Sequence, residues 1–391
     1  MQQLTPPMRV LMGPGPSPVP ASVLNALSKP TVGHLDPYFL QVMDDVREML
    51  RVAFNTSNRL TFPMSGTGSA GMETCFVNLV EPGTRVLVGV NGVFGTRMVE
   101  VAKRCGAEVS VCEQTWGRAL TKEQLVAAAG GKSFDILAVV HAETSTGVLQ
   151  DLAPMREAAD ELGALLLVDA VTSLGGSHID LDKHGVDAVY SGTQKCLSCP
   201  PGLAPISFSA KAEERLAARK QPVQSWYLDL SLIASYWGQA RAYHHTAPIN
   251  MMYALHEALR LTLDEGLEAR VARHRRHSNA LKAGLEAMGL TLAVPDAERL
   301  PQLTSVNIPD GVDDAKLRSE LLRDFGLEIG GGLGPLKGKT WRIGLMGAGA
   351  TRNHVTTCLS ALLAALGTQG VAPKGDPLSA AAEAYAAQRA K

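Results

Sequence analysis

Lys195 closes the segment Tyr190-Ser191-Gly192-Thr193-Gln194-Lys195, which ends the apolar run DAVYSG and continues into CLSCPPG. An amine among small and hydroxyl-bearing neighbours, with no acidic side chain beside it, is set up for partial desolvation. Burial disfavours the ammonium and frees the lone pair to attack a carbonyl carbon. Asp169 stands earlier in the chain, at the end of the apolar run LLLVD. A carboxylate there is costly unless a cation or hydrogen-bond donors meet it, and it reads equally as a turn cap and as a functional group. A third candidate is SGTGSAG at 65–71, between an apolar run and a helical pattern. Its glycines allow a tight turn, and a helix start offers free N–H groups to an anion such as phosphate. Gly66, Gly68 and Gly71 also satisfy G-x-G-x-x-G. A dinucleotide site needs an acidic residue at the end of the next strand, yet RVLVGV ends in Asn91-Gly92, so a dehydrogenase is the weaker alternative.

These groups need elements to bring them together. RLTFPM, RVLVGV, EVSVC, ILAVV, ALLLVDAV, AVYSG and APISFS are short apolar runs of strand length, several separated by helical patterns such as FGTRMVEVAKRCG and LAPMREAADELG. Continuous apolar strands linked by helices predict an α/β fold with a mostly parallel sheet covered on both faces, whose ligands bind beyond the carboxyl ends of the strands. Asp169 and Lys195 both follow such ends. Asp36-Pro37 predicts the start of a helix reaching about residue 54. A long helical pattern from Met251 to Met288, interrupted near Gly266, leads into a smaller α+β unit holding LTSVNIP, LEIGGGLGPLKG, TWRIGL and a last helix over 352–366. The expected divisions are an extended proline-rich segment 1–20, a large domain 21–265, a small domain 266–370 and a tail 371–391. The run Arg273-His274-Arg275-Arg276-His277 reads as a solvated helix face.

An anion cradle, a strand-end carboxylate and a lysine in a small-residue pocket are the parts that a pyridoxal phosphate site requires. Composition allows such an enzyme. The 391 residues are 46% apolar and 19% charged, with 37 Lys plus Arg against 38 Asp plus Glu, a balance that calls for neither nucleic acid nor an anionic membrane as partner. No apolar run is long enough to span a bilayer, and the N-terminus lacks the pattern of a secretory signal, which predicts a cytosolic protein. The six cysteines are scattered, as expected of reduced thiols; Cys196-Leu-Ser-Cys199 lacks the second pair or the histidines that a zinc site would need, so no metal is expected.

SGTGSAGMET, NGVFGTR, ETSTGVLQDL, LLLVDAVTSLGG, YSGTQK, YHHTAP and WRIGLMG occur in the order and spacing of the class V aminotransferases of fold type I. Over about residues 10–370 the chain resembles their alanine–glyoxylate and serine–glyoxylate (serine–pyruvate) members. That resemblance implies that Lys195 carries the cofactor as a Schiff base and moves the substrate proton, while Asp169 pairs with the pyridine nitrogen. It further implies that Thr67, Gly68, Ser69 and Gln194 meet the phosphate, that Phe94 stacks on the ring and that Thr144 bonds near its hydroxyl. Arg342 resembles the arginine that grips the substrate carboxylate, although from the residues alone it reads equally as a structural ion pair. Tyr243 and Thr246 resemble residues lent by the neighbouring subunit, which implies a homodimer with shared active sites; His244 and His245 are expected to pack rather than bind metal.

The implied substrates are a small amino acid, alanine or serine, and a small 2-oxo acid, glyoxylate or pyruvate. The lead-in GPGPSPVP and the segment around Tyr38 are the candidates for lining their pocket. Two departures stand out: Phe94 replaces the tryptophan of the animal enzymes, and the terminal QRAK is not a peroxisomal signal. A cysteine desulfurase of the same class is the alternative within the fold, but LEIGGGLGPLKG carries no nucleophilic cysteine.

Overall fold

All seven apolar runs enter one sheet. In this computed structural model, which describes residues 3–388, the strands are β1 (Leu60–Ser65), β2 (Arg85–Val90), β3 (Glu108–Glu113), β4 (Ile136–Val140), β5 (Leu165–Asp169), β6 (Ala188–Tyr190) and β7 (Leu203–Phe208). They lie in the order β1-β7-β6-β5-β4-β2-β3. The pairs from β6 through β3 are parallel, whereas β7 runs antiparallel to both its neighbours. Strands β4 and β6 are buried along their whole length, as expected of a sheet with both faces covered. Register does the rest: Asp169 is the Cα partner of Val140 on one side and of Tyr190 on the other.

The helix predicted at Asp36 spans Pro37–Phe54, with the Asp36 carboxylate accepting from the Tyr38 amide. Two helices position the site, α1 (Gly68–Leu79) and α2 (Val93–Arg104), each beginning just beyond the carboxyl end of a sheet strand. The long helical pattern divides into α3 (Ile249–Glu265) and α4 (Leu267–Ala287) at Gly266, whose φ of 83° a residue with a Cβ would adopt only at a cost. A second sheet holds β8 (Leu303–Asn307), β9 (Gly330–Gly331) and β10 (Thr340–Gly344), in the order β8-β10-β9.

Two large apolar cores form, one around the seven-stranded sheet and one joining α4, β10 and the helix Arg352–Thr368. Met12 belongs to the second core, and Val10–Leu11 pairs in parallel with Leu327–Glu328, so the lead-in packs with the smaller unit. Within the tail, the helix Pro377–Ala387 buries Ala381 and Tyr385 in that same core, and the last residues of QRAK lie outside those described. We retain the four divisions expected from the sequence as a proposal.

The basic run on α4 requires a correction. Arg275 and Arg276 are exposed, but His274 is fully buried, and Arg273 is part-buried and turned toward backbone. His274 Nδ1 donates to Arg270 O at 2.7 Å and its Nε2 accepts from the Gly347 amide at 2.9 Å, a neutral ring that burial pushes down to about 3. Arg273 donates to the carbonyls of Gly347 and Ala350 and pairs with Glu265. This face closes on the turn after β10, which needs donors for its carbonyls and an acceptor for its amide.

Candidate active site

A cleft lies beyond the carboxyl ends of the central strands. Lys195, Asp169, Thr67, Gly68, Ser69, Phe94, Thr144 and Gln194 all line it, so eight sequence candidates converge. Arg342 stands beside it. Tyr243 and Thr246 are not among its lining residues, and Tyr243 is 58% exposed.

Lys195 is 8% exposed, and burial pushes its amine down to about 8, with the Arg342 charge acting in the same direction and Cys196 and Asp169 opposing. Its Nζ donates to the carbonyl of Pro14, and Gly15 packs so closely that a Cβ there would overlap the lysine side chain. The lead-in GPGPSPVP therefore does reach the site. Tyr38 does not: it lines a separate surface cavity with Tyr253. Ser17 Oγ fixes the lysine's backbone by donating to Lys195 O at 2.6 Å.

Asp169 is buried, which raises its carboxyl to about 6 against donors that pull the other way. Val171 N donates to Oδ1 at 2.8 Å and Tyr190 Oη to Oδ2 at 2.7 Å. The Glu143 charge raises it further, and Lys195 lowers it. A buried acid held ionised by two donors is ready for a cationic partner such as a protonated ring nitrogen.

At the start of α1, Thr67 has extended backbone and its side chain makes no cap hydrogen bond, so the first helix amides are available to an anion. Gln194 lines the same cleft with Oε1 buried and without a partner among the described residues. Gly68 and Gly71 are needed for packing: a Cβ on Gly71 would lie 3.0 Å from Ala204 Cβ and 3.1 Å from Tyr190 Cβ. Where a dinucleotide site would need an acid after β2, Asn91 donates to Arg118 O at 3.1 Å. An uncapped helix start, an aromatic ring on the cleft wall at Phe94, a buried acid and a depressed amine fit a phosphorylated pyridine aldehyde.

Arg342 is 7% exposed, its Nε bonded to Gly331 O at 2.8 Å and its Nη1 to Thr144 O at 3.3 Å. It makes no ion pair among the described residues. Cys196 and Cys199 are buried free thiols, as are the other four cysteines. Sequence reasoning gave no role to Tyr190, Arg97 or Glu143. All three stood inside the quoted motifs, Arg97 as the last residue of NGVFGTR, three beyond Phe94, with its guanidinium 5.0 Å from the Phe94 ring centre.

A seven-stranded sheet with one reversed strand and this cleft at its carboxyl edge is the architecture of the fold type I transferases, to which the solved structures similar to this chain belong. Within that class the chain belongs to the class V aminotransferases: the Aminotransferase class-V family model matches residues 9–336. The (S)-ureidoglycine–glyoxylate transaminase of Bacillus subtilis (strain 168) is 41% identical, over 93% of this chain and 92% of that protein. Alanine–glyoxylate aminotransferase of Oryctolagus cuniculus is 42% identical, covering 92% and 93% respectively. Among solved structures, the B. subtilis ureidoglycine–glyoxylate aminotransferase superposes with a TM-score of 0.96 at 42% identity, over 98% of this chain and 100% of that one. The alanine–glyoxylate aminotransferase of Nostoc sp. gives 0.92 at 49% identity, over 94% and 97%. The chain is thus an aminotransferase, which removes the dehydrogenase and desulfurase alternatives. No helix among the described residues is long and apolar enough to cross a membrane.

Proposed function

We propose that this chain moves the amino group of alanine or serine to a small 2-oxo acid, glyoxylate first and pyruvate second, in two ping-pong half-reactions using pyridoxal 5'-phosphate. The observation that carries this reading is that the Lys195 amine and the Asp169 carboxylate open into one cleft with an uncapped helix start. When bound, the cofactor supplies an electron sink for the substrate α-carbon. The chain does the rest. Gly68 and Ser69 amides, with Thr67 and Gln194, bind the phosphate; Phe94 covers the ring and Thr144 meets its polar edge. Asp169 holds the proton on the ring nitrogen, Lys195 Nζ takes and returns the substrate proton, and Arg342 grips the substrate carboxylate through its planar fork.

We read the working unit as a homodimer in the cytosol, in which Tyr243 and Thr246 complete the partner's phosphate site. Trp226, 62% exposed and stacked 4.2 Å from His244, belongs with Tyr243 to an aromatic surface suited to being covered. The named substrate of the B. subtilis relative favours (S)-ureidoglycine as a second donor.

The test is a donor panel of alanine, serine and (S)-ureidoglycine against glyoxylate and pyruvate, with the cofactor's visible band followed in each half-reaction. Conversion of that band by alanine or serine, restored by glyoxylate, is expected. Conversion by ureidoglycine alone would replace the proposed donor, and failure of the purified chain to take up cofactor would overturn the reading.

A further inference from the structure

The ETSTG segment contains a fully buried carboxylate that the proposed chemistry does not use. Glu143 is 0% exposed and has no cationic partner among the described residues within ion-pair distance. Its charge is met by donors instead. Oε1 accepts from Ser145 N at 2.9 Å and Ser145 Oγ at 2.6 Å, while Oε2 accepts from Phe94 N at 3.1 Å. Ser145 Oγ in turn accepts from Val93 N at 2.9 Å. Val93 and Phe94 are the first residues of α2, whose N-cap, Gly92, has no side chain to cap with.

The helix start is therefore capped from another strand connection, with the negative charge at the end of the helix that attracts it. Gly92 makes room: a Cβ there would lie 2.4 Å from both Glu143 Cγ and Cδ, and 2.5 Å from Ser145 Oγ. Burial raises the Glu143 carboxyl, and the amides of Ser145, Phe94 and Gly95 oppose that rise. The next residue, Thr144, gives its carbonyl to Arg342.

We infer that Glu143 is a positioning residue: by clamping the first turn of α2 it fixes the Phe94 ring over the cofactor slot. This inference rests on the pyridoxal phosphate reading given above. The alternative, a carboxylate that serves only to stabilise the fold, makes a different prediction about coupling.

A double-mutant cycle separates them. Glu143→Gln, Phe94→Ala and the double variant are prepared without cofactor, and the dissociation constant for pyridoxal phosphate is measured by quenching of tryptophan fluorescence. Each single change is expected to weaken binding about tenfold, because one removes an ionic acceptor and the other an aromatic face. In the Phe94→Ala background, Glu143→Gln should then cost less than about threefold, since the ring it positioned is gone. Equal effects in both backgrounds, or no effect of Glu143→Gln on its own, would overturn the inference. Should Glu143→Gln not fold, Ser145→Ala replaces it in the same cycle, with the same non-additivity expected and the same additive result decisive against it. Absence of cofactor binding by the parent chain would instead remove the reading beneath it.

Discussion

Tyr190 Oη donates to Asp169 Oδ2 at 2.7 Å across neighbouring parallel strands, where the two residues are Cα partners. With Val171 N on the other oxygen, both oxygens of a buried carboxylate carry a donor before any ligand arrives. These donors hold the acid down against burial, which has taken it to about 6. Tyr190→Phe removes one of them, so Asp169 becomes harder to ionise. Cofactor affinity falls as pH drops through the value at which the ligand-free Asp169 takes up a proton. In the variant that fall should begin on the order of one pH unit higher. Binding curves at a series of pH values check this; a superimposable profile would remove the phenol's role.

The same raised carboxyl has a cost in the protein without cofactor. An acid at about 6 in the folded state and near 3.8 when unfolded is charged in both states at pH 7 and destabilises the fold there. As pH falls through about 6, the folded form takes up its proton first and recovers stability, by about 3 kcal/mol once pH nears 4. Asp169→Asn has no such term. Denaturant unfolding of the two cofactor-free proteins should therefore show the parent gaining on the variant as pH is lowered from 7 to 5. A constant difference across that range would mean that Asp169 stays ionised in the cofactor-free fold down to pH 5, its carboxyl not raised by burial.

Lys195 supplies a kinetic counterpart. With its amine pushed down to about 8, roughly a tenth is neutral at pH 7, against less than about one part in a thousand for an ordinary lysine. Capture of cofactor should accelerate with rising pH and level off above about 8, and borohydride followed by peptide mass analysis should place the label on Lys195. Lys195→Ala should abolish turnover while leaving the circular dichroism spectrum unchanged. Capture that kept accelerating up to pH 10 would show an unshifted amine.

The strands were legible because each is an apolar run long enough to cross the sheet and short enough not to be a helix. Asp169, Lys195 and the Gly66–Gly71 turn were legible for a related reason: polar residues at the ends of apolar runs have few inexpensive explanations. What escaped depends on register or on distant packing. Tyr190 looks like one more apolar strand residue until β6 is laid beside β5. Glu143 looks like an ordinary acid until the start of α2 is brought against it. His274 sits in a run of charges whose solvent-facing members hide the one turned inward, because the neighbour that buries it is the turn at Gly347, far along the chain. Arg342 read equally as an ion-pair partner, and only the carbonyls of Gly331 and Thr144 reveal that Nε and one Nη1 N–H are held by backbone, which orients the rest of the guanidinium without an acid.

That turn is the point where the smaller unit touches the loop following Lys195. Gly347 has φ of 54°, and a Cβ there would lie 2.0 Å from Ser198 Oγ and 2.8 Å from Cys196 O. Its amide is held by His274, its carbonyl by Arg273, and Ser198 Oγ accepts from the Ala348 amide at 2.8 Å. Gly347→Ala thus faces a left-handed backbone and a collision that neither side can relieve cheaply. Gly370→Ala faces a left-handed backbone alone, at φ of 78° with nothing within 4 Å. The control should lose about 1–2 kcal/mol in urea unfolding, and Gly347→Ala about 3 kcal/mol or more. Because Ser198 must move, and Ser17 Oγ holds the Lys195 carbonyl within the same hydroxyl cluster, Gly347→Ala should also weaken cofactor binding while Gly370→Ala leaves it unchanged. Equal losses of stability in the two variants, with equal cofactor affinity, would mean that this contact neither braces the loop nor transmits anything to the lysine.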